Sequence, residues 1–347
     1  MIIAPASRLA LYLAGAYWLL AIYGSLYPFS GWTDFGASPT AFVTAGWPRY
    51  TTAFDIGINI AAYVPMGFLW VAALRRPLGP WVAPLAAFAI GVLTSLCLES
   101  LQNYLPSRVP SNLDWAGNII GTLIGAVAGM SWSATLVDGG RLHKLRHRVF
   151  VDGTMADKGL MLILLWLLTQ FNPETLLFGN GDLRDLLNLG TFAYDAANFA
   201  HIEALVVGAN TFAVALMISL LARRRLPVLV LLVAGLIAKS FAFELIMNGH
   251  DGLAWATEGS LIGLAAGLSL WLIASVLQPR WRQVAATLAL LLAAIVVNLA
   301  PENPYLVNTF QGWNPGQFLN FHGLTRLASN LWPFLALPWL ILLRGEQ

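Results

Sequence analysis

Apolar residues run through the whole chain in blocks of about 20, and blocks of that length predict helices able to cross a bilayer rather than strands. Ten are predicted, at roughly 8–28, 55–74, 81–103, 113–134, 158–171, 198–222, 227–248, 252–277, 283–300 and 325–343, the fifth being short for a full crossing. Because the pattern recurs to the far end, the first block reads as a membrane span and not merely a removable signal. The connections Arg75–Pro80, Arg223–Pro227 and Gln278–Arg282 are tight and basic, which predicts antiparallel neighbours. Segments 29–54, 172–197 and 301–324 are long and rich in Gly, Pro, Trp, Phe and Asn. Irregular backbone near lipid has to be covered by protein or water, so they are predicted to fold over the outer mouth or re-enter it.

Composition turns this pattern into a fold class. The chain is 58% hydrophobic and 10% charged, with 14 Trp, which a water-soluble domain could present only as large exposed apolar patches. The expectation is an all-α polytopic membrane helix bundle. If the N-terminus is cytoplasmic, 14 of the 19 Lys and Arg fall on the inner side, among them Arg8, Arg75, Arg76, Arg223 to Arg225, Arg280, Arg282 and Arg344. The positive-inside rule then sets both termini in the cytoplasm. The basic stretch Arg141–Lys158 reads as an anchor at the anionic inner leaflet and not as a nucleic-acid patch. The single cysteine, Cys97, forbids an intrachain disulfide and, between Leu96 and Leu98, reads as a buried structural thiol.

A faint parallel repeat is visible. The first span ends in LYPF, the fifth in FNPE and the ninth in LAPE. Asn59, Asn210 and Asn330 recur in the second, sixth and tenth helices, Glu99 in the third is echoed by Glu244 in the seventh, and Asp114-Trp115 by the Asp251 to Trp255 region. An even number of spans per copy keeps both copies in one orientation. The predicted organisation is a four-helix unit at 1–136, a basic cytoplasmic linker at 137–157, a degenerate four-helix unit at 158–278 and a terminal hairpin at 279–347.

The chemistry concentrates between Glu99 and Gly125. Glu99 and Gln102 lie three apart and share a helical face, as do Asp114 and Asn118, four apart. The loop between the pairs is stiffened by Pro106 and Pro110 and holds Arg108, whose planar fork can clamp a carboxylate or phosphate. Asp55 and Asn59, at the start of the second helix, complete the set. Ser111, three residues before Asp114, resembles a capping box. Either these groups form a lock of ion pairs and hydrogen bonds between helices, or they form a site. In the second case Glu99 and Asp114 are the candidate acid–base groups, and Arg108, Gln102, Asn118, Asp55 and Asn59 the candidate ligand-binding groups. Gly117, Gly121, Gly125 and Gly129 recur every four residues, a close-packing seam. Lys239 and Glu258 could pair across the bundle; His201 with Glu203, and His250 with Asp251, read as hydrogen-bonding groups because further metal donors are missing.

The order of these elements resembles the VanZ-like family of bacterial membrane proteins over about residues 20–130. The elements are Pro28 and Phe29, then Asp55, Asn59, Pro65 and Gly67, then Glu99 and Gln102, then Arg108, and finally Asp114, Asn118, Gly121 and Gly125. The resemblance implies a role in the bacterial cell envelope, after a family member associated with teicoplanin resistance, and a place in the cytoplasmic membrane; it implies no reaction. The later half departs from it, with Met247 where Gln102 would be and no arginine in the following loop.

Three functions fit these residues: a site for an anionic lipid or lipid-linked envelope precursor, a transporter or flippase, and a scaffold whose outer loops dock an envelope enzyme. No Walker motif, dinucleotide fingerprint, zinc signature or serine triad occurs, so no cofactor or metal is expected. Nor is nucleic acid an expected partner, and no protein partner is specified.

Overall fold

The computed structural model describes residues 8–48, 52–136, 140–187, 196–246, 251–301, 303–304 and 319–343. The chain is an all-α membrane bundle. Six helices among the described residues are long and apolar enough to cross a membrane, one of them 50 residues long. The chain divides into two compact units, Met1–Arg148 and Val149–Gln347.

The first unit contains α1 (Leu9–Leu26), the short α2 (Ala41–Thr44), α3 (Ala53–Gln102), α4 (Asn112–Leu136) and most of the basic α5 (Arg141–Val149). The 50-residue α3 is two limbs joined at Gly79, whose φ of 80° and ψ of 173° are not helical. That left-handed φ suits glycine, and the two limbs are the predicted hairpin about Arg75–Pro80. Pairs between elements set the directions. Trp18 and Ser25 of α1 meet Thr94 and Gln102 of the second limb, so these two run parallel. Asn59 and Arg75 of the first limb meet Asp114 and Met130 of α4, again parallel.

The α3–α4 contact is built on missing side chains. A Cβ on Gly121 would stand 2.2 Å from the Ile60 carbonyl oxygen, and one on Gly125 would stand 2.0 Å from that of Val64. Gly67 closes the contact from the other helix, where an added Cβ would stand 2.2 Å from the Thr122 carbonyl oxygen. Small residues let backbones approach where lipid offers no hydrophobic drive to associate.

In the second limb, Thr94, Ser95, Leu98, Glu99 and Gln102 are buried. Leu93, Leu101 and Cys97 face outward, so the expected buried thiol is instead exposed. The cause is inversion of the soluble rule: the polar side of a membrane helix turns toward its partners and the apolar side toward lipid. The segment after α1 lies over the loop joining the limbs to α4, as expected for residues 29–48. Thr33 N donates to Tyr104 O at 2.9 Å, Asn112 Nδ2 to Ala45 O at 2.8 Å, and Phe42 meets Trp115 edge-on.

The second unit contains α6 (Thr154–Thr169), the short α7 (Arg184–Leu187), α8 (Ala196–Leu221), α9 (Leu226–Ile246), α10 (Glu258–Ala274), α11 (Pro279–Leu299) and α12 (Leu319–Leu342). Helix α8 is apolar around most of its circumference and lies at the centre, with Val206, Val207 and Ala213 to Ile218 buried. Its contact with α10 uses Gly259, Gly263 and Gly267, whose added Cβ atoms would stand 2.7, 2.5 and 2.6 Å from the carbonyl oxygens of Ala200, Ala204 and Gly208.

Three boundaries differ from those read in the sequence. Residues 141–149 of the predicted linker are helical, and α6 begins at Thr154. Helix α10 starts at Glu258 instead of 252, because Thr257 caps it by accepting from Ser260 N. The terminal pair is part of the second unit: Trp332 and Trp339 of α12 donate to carbonyls of α6, and Trp271 of α10 and Arg282 of α11 both reach Ser219 of α8.

Candidate functional site

The seven residues singled out between Asp55 and Asn118 gather at the end of the first unit where α1 and α3 finish and α4 begins. They do so in separate hydrogen bonds. Glu99, 4% exposed, accepts from Ser111 N at 3.0 Å. Three residues on, Gln102 turns to the other neighbour and donates to Ser25 O and Oγ at 3.0 and 2.9 Å. Across the gap, Asp114 Oδ1 accepts from Asn59 Nδ2 at 2.6 Å, and Asn118 Nδ2 donates to Ser95 Oγ at 2.9 Å. The Oδ1 of Asn118 is buried and has no hydrogen-bond partner among the described residues.

The capping box expected at Ser111 and Asp114 is half made. Ser111 Oγ accepts from the backbone N–H groups of Leu113 and Asp114, but its own N–H goes to Glu99, from a different helix. This releases the Asp114 carboxylate to receive Asn59. A complete box exists elsewhere: Thr52 N and Oγ1 donate to Asp55 Oδ2 at 3.0 and 2.7 Å, and Thr52 Oγ1 accepts from Asp55 N at 3.2 Å. Asp55 thus holds the start of α3 as a helix cap.

Arg108 stands half-buried in the loop. Its Nη2 donates to Tyr27 O at 2.9 Å, tying the loop to the end of α1. Burial pulls its guanidinium below the usual range, while the charge of Glu99 pushes it back up. The loop exposes Val109, and the segment lying over the loop exposes Trp32, Phe35 and Trp47.

Sequence reasoning missed the small partners Ser25 and Ser95, the bond from Ser111 N to Glu99, and the complete box at Thr52. Only the box carried a signal, T-x-x-D before an apolar run. Ser25 and Ser95 are placed by helix packing and have no local signature.

In the second unit the proposed Lys239–Glu258 pair does not form. Lys239 is fully buried, and Nζ donates to Asn172 O and Thr175 O, both at 2.6 Å, and to Thr175 Oγ1 at 3.0 Å. Glu258 is exposed in the first turn of α10, where a carboxylate suits the helix dipole. Glu203, 1% exposed, accepts from Thr257 Oγ1 at 2.5 Å and Ser260 Oγ at 2.8 Å, while His201 is exposed. No group of three or more His, Cys, Asp or Glu that could hold a metal occurs among the described residues. Glu244, the echo of Glu99, is exposed; Met247 and His250 lie outside the described residues.

Residues 10–133 match the family model described as VanZ/LLP1. A 96-residue part of the chain is also related to two fluoride-specific ion channels, the FluC proteins of Pseudomonas syringae pv. tomato and Pseudomonas syringae pv. syringae. Each is 34% identical over a stretch covering 26% of this chain and 77% of the relative. No solved structure matches the chain.

Proposed function

We propose, for a chain that belongs to the VanZ-like family through residues 10–133, that the first unit is a membrane site for the anionic headgroup of a lipid or lipid-linked envelope precursor. Any part the protein has in the bacterial cell envelope, glycopeptide resistance included, would act through that site. The observation that carries this reading is the setting of Arg108: a guanidinium fixed in a short loop over which lies a segment that exposes Trp32, Phe35 and Trp47. Aromatic belts mark the headgroup level of a bilayer, where a fork-shaped cation meets phosphate or carboxylate. Glu99, next to it and shielded from water, is the group placed to hold or pass a proton, and Asp114 is the second candidate. Gln102, Asn59, Asn118 and Asp55 hold the helix ends that shape the site. The distribution of Lys and Arg supports a cytoplasmic membrane location with both termini inside and this site on the outer face.

Native mass spectrometry of the detergent-extracted protein tests the reading. An anionic lipid retained by the wild type and lost from Arg108→Ala supports it, provided Arg108→Ala still accumulates in the membrane. Identical lipid profiles would overturn it.

The kinship to fluoride-specific channels favours a second reading, in which the protein conducts a small anion. Fluoride efflux from proteoliposomes, absent from protein-free vesicles, would support conduction; no efflux would leave the binding site as the working account.

The duplication belongs with these proposals. In each unit a helix bearing glycines four apart crosses a partner in the same register. Gly117 sits against Asn59 and the Ile56 carbonyl as Gly259 sits against Glu203 and the Ala200 carbonyl. Gly121 meets Ile60 and Tyr63 as Gly263 meets Ala204 and Val207. This register supports two divergent copies and pairs Asn59 with Glu203 instead of Asn210.

A further inference from the structure

Helix α5 reads RLHKLRHRV. Its two histidines, His143 and His147, are four residues apart and therefore stand on one face, on successive turns. Both are half-buried, whereas Arg141, Lys144 and Arg148 are exposed. The two Nε2 atoms are 2.8 Å apart, with ring planes crossing at 72° and centroids 4.1 Å apart.

That separation serves two states. Without a metal, one Nε2 carries a hydrogen and the other accepts it, an ordinary hydrogen bond. With a metal, both lone pairs turn to the same ion. Two nitrogens each ~2.0 Å from a metal stand roughly 2.8 Å apart when they bind at a right angle, and roughly 3.3 Å apart at a tetrahedral angle. The observed spacing is thus the edge of a square-planar or tetragonal site, the geometry of copper(II) and nickel(II), and is short for tetrahedral zinc. The χ2 torsion of histidine is broad. A turn of both rings therefore carries the lone pairs from each other to a common point without moving the helix. Histidines that bind metals commonly hold a further partner on Nδ1, which fixes the ring, so the arrangement does not depend on these rings being otherwise unpaired.

We propose that His143 and His147 chelate a copper(II) ion through their Nε2 atoms and that the ion staples successive turns of α5. As the metal arrives, the hydrogen on the bonded Nε2 leaves for Nδ1 of the same ring by way of water. Both imidazoles then bind neutral, and no net proton is released. Water fills the remaining positions, and two protein donors keep the ion exchangeable, unlike a closed structural site. The basic residues of the helix, Arg141, Lys144, Arg146 and Arg148, oppose any cation, which favours the ion with the strongest imidazole bonds, and copper(II) heads that order. The consequence is local. A helix of nine residues is marginal on its own, and a ligand that binds only its folded form stabilises it. The pair rests on neither reading of Arg108.

The test is titration of the tag-free, full-length protein in detergent with copper(II), nickel(II) and zinc chlorides, followed by calorimetry and, for copper, by electron paramagnetic resonance. The wild type should bind copper saturably, more tightly than nickel or zinc, with hyperfine structure from two nitrogens. His143→Ala and His147→Ala should each weaken copper by about ten-fold or more and remove the two-nitrogen signature, while His201→Ala should leave both unchanged. If either alanine variant does not fold, His147→Gln serves, since it keeps a polar side chain and removes the imidazole. Copper should also slow tryptic cleavage within 141–149 in the wild type and not in the variants. Absence of saturable copper binding, retention of it in the folded variants, or zinc binding as tight as copper would overturn the proposal.

Discussion

The two glycine seams use the same packing geometry but satisfy their polar atoms in opposite senses. In the first unit the carboxylate, Asp114, stands on the glycine-bearing helix and the carboxamide of Asn59 donates to it. In the second the carboxylate, Glu203, stands on the partner helix, and the hydroxyls of Thr257 and Ser260 donate from the glycine-bearing side. Backbone approach is therefore the rigid requirement, and what accompanies it is one carboxylate acceptor shielded at least in part and matched to one or more donors, whichever helix supplies each. The first unit adds, at the same end of its seam, the buried Glu99, which accepts from Ser111 N in the loop that carries Arg108.

The seam itself offers the harshest way to break this comparison. A methyl group on Gly125 would have to displace the Val64 backbone, 2.0 Å away, whereas one on Gly263 meets the Ala204 carbonyl at 2.5 Å. Gly125→Ala is expected to cost about 3 kcal/mol or more, the upper end of overpacking penalties, and Gly263→Ala less. Thermal unfolding of the purified variants, followed by helical circular dichroism, would rank them; equal losses would dissolve the distinction between the seams.

Next comes the buried acid. Glu99→Ala leaves Ser111 N without its acceptor and should destabilise by about 1–3 kcal/mol. Glu99→Gln keeps an acceptor oxygen and should remain folded, as should Glu203→Gln. If headgroup retention fails in Glu99→Gln but not in Glu203→Gln, the charge on Glu99 is functional; loss in neither would make both acids structural.

A smaller effect is expected from Asn59→Leu, which removes the donor to Asp114, at about 1–2 kcal/mol. The same readout applies, and a loss comparable to Gly125→Ala would show the polar pair to be as important as the seam.

The gentlest probe is pH. Burial raises the pKa of Glu174, but the hydrogen bond from His322 and the charges of His322, Arg326 and Lys239 outweigh it, leaving the carboxyl below its ordinary range. A folded-state pKa that is depressed adds stability above the unfolded value, near 4.3, and that stability is lost as pH falls through the folded value. The melting-point gap between wild type and Glu174→Gln should therefore narrow below about pH 4.3. A gap that stays constant down to pH 3 would refute the assignment.

What the sequence disclosed follows from which forces are local. Apolar blocks gave the spans, and the four-residue spacing from Gly117 gave the seam, because period and side-chain size are local properties. The polar residues were found but not their partners: Glu99 and Gln102 share a face and still reach opposite neighbours, α4 and α1. Lys239 was assigned a carboxylate because charge suggests charge, whereas its acceptors are oxygens of a loop more than 60 residues away. Cys97 was misplaced by a rule made for water-soluble cores, which lipid reverses.

The bond from Ser111 N to Glu99 has a consequence for biosynthesis. The residue that caps α4, Ser111, is itself held by the helix synthesised before it, and Asp114 and Asn118 find their partners only with α3 alongside. Because α3 leaves the ribosome first, it can serve as the template on which α4 is received, presenting Asn59 to Asp114 and Ser95 to Asn118 as they arrive.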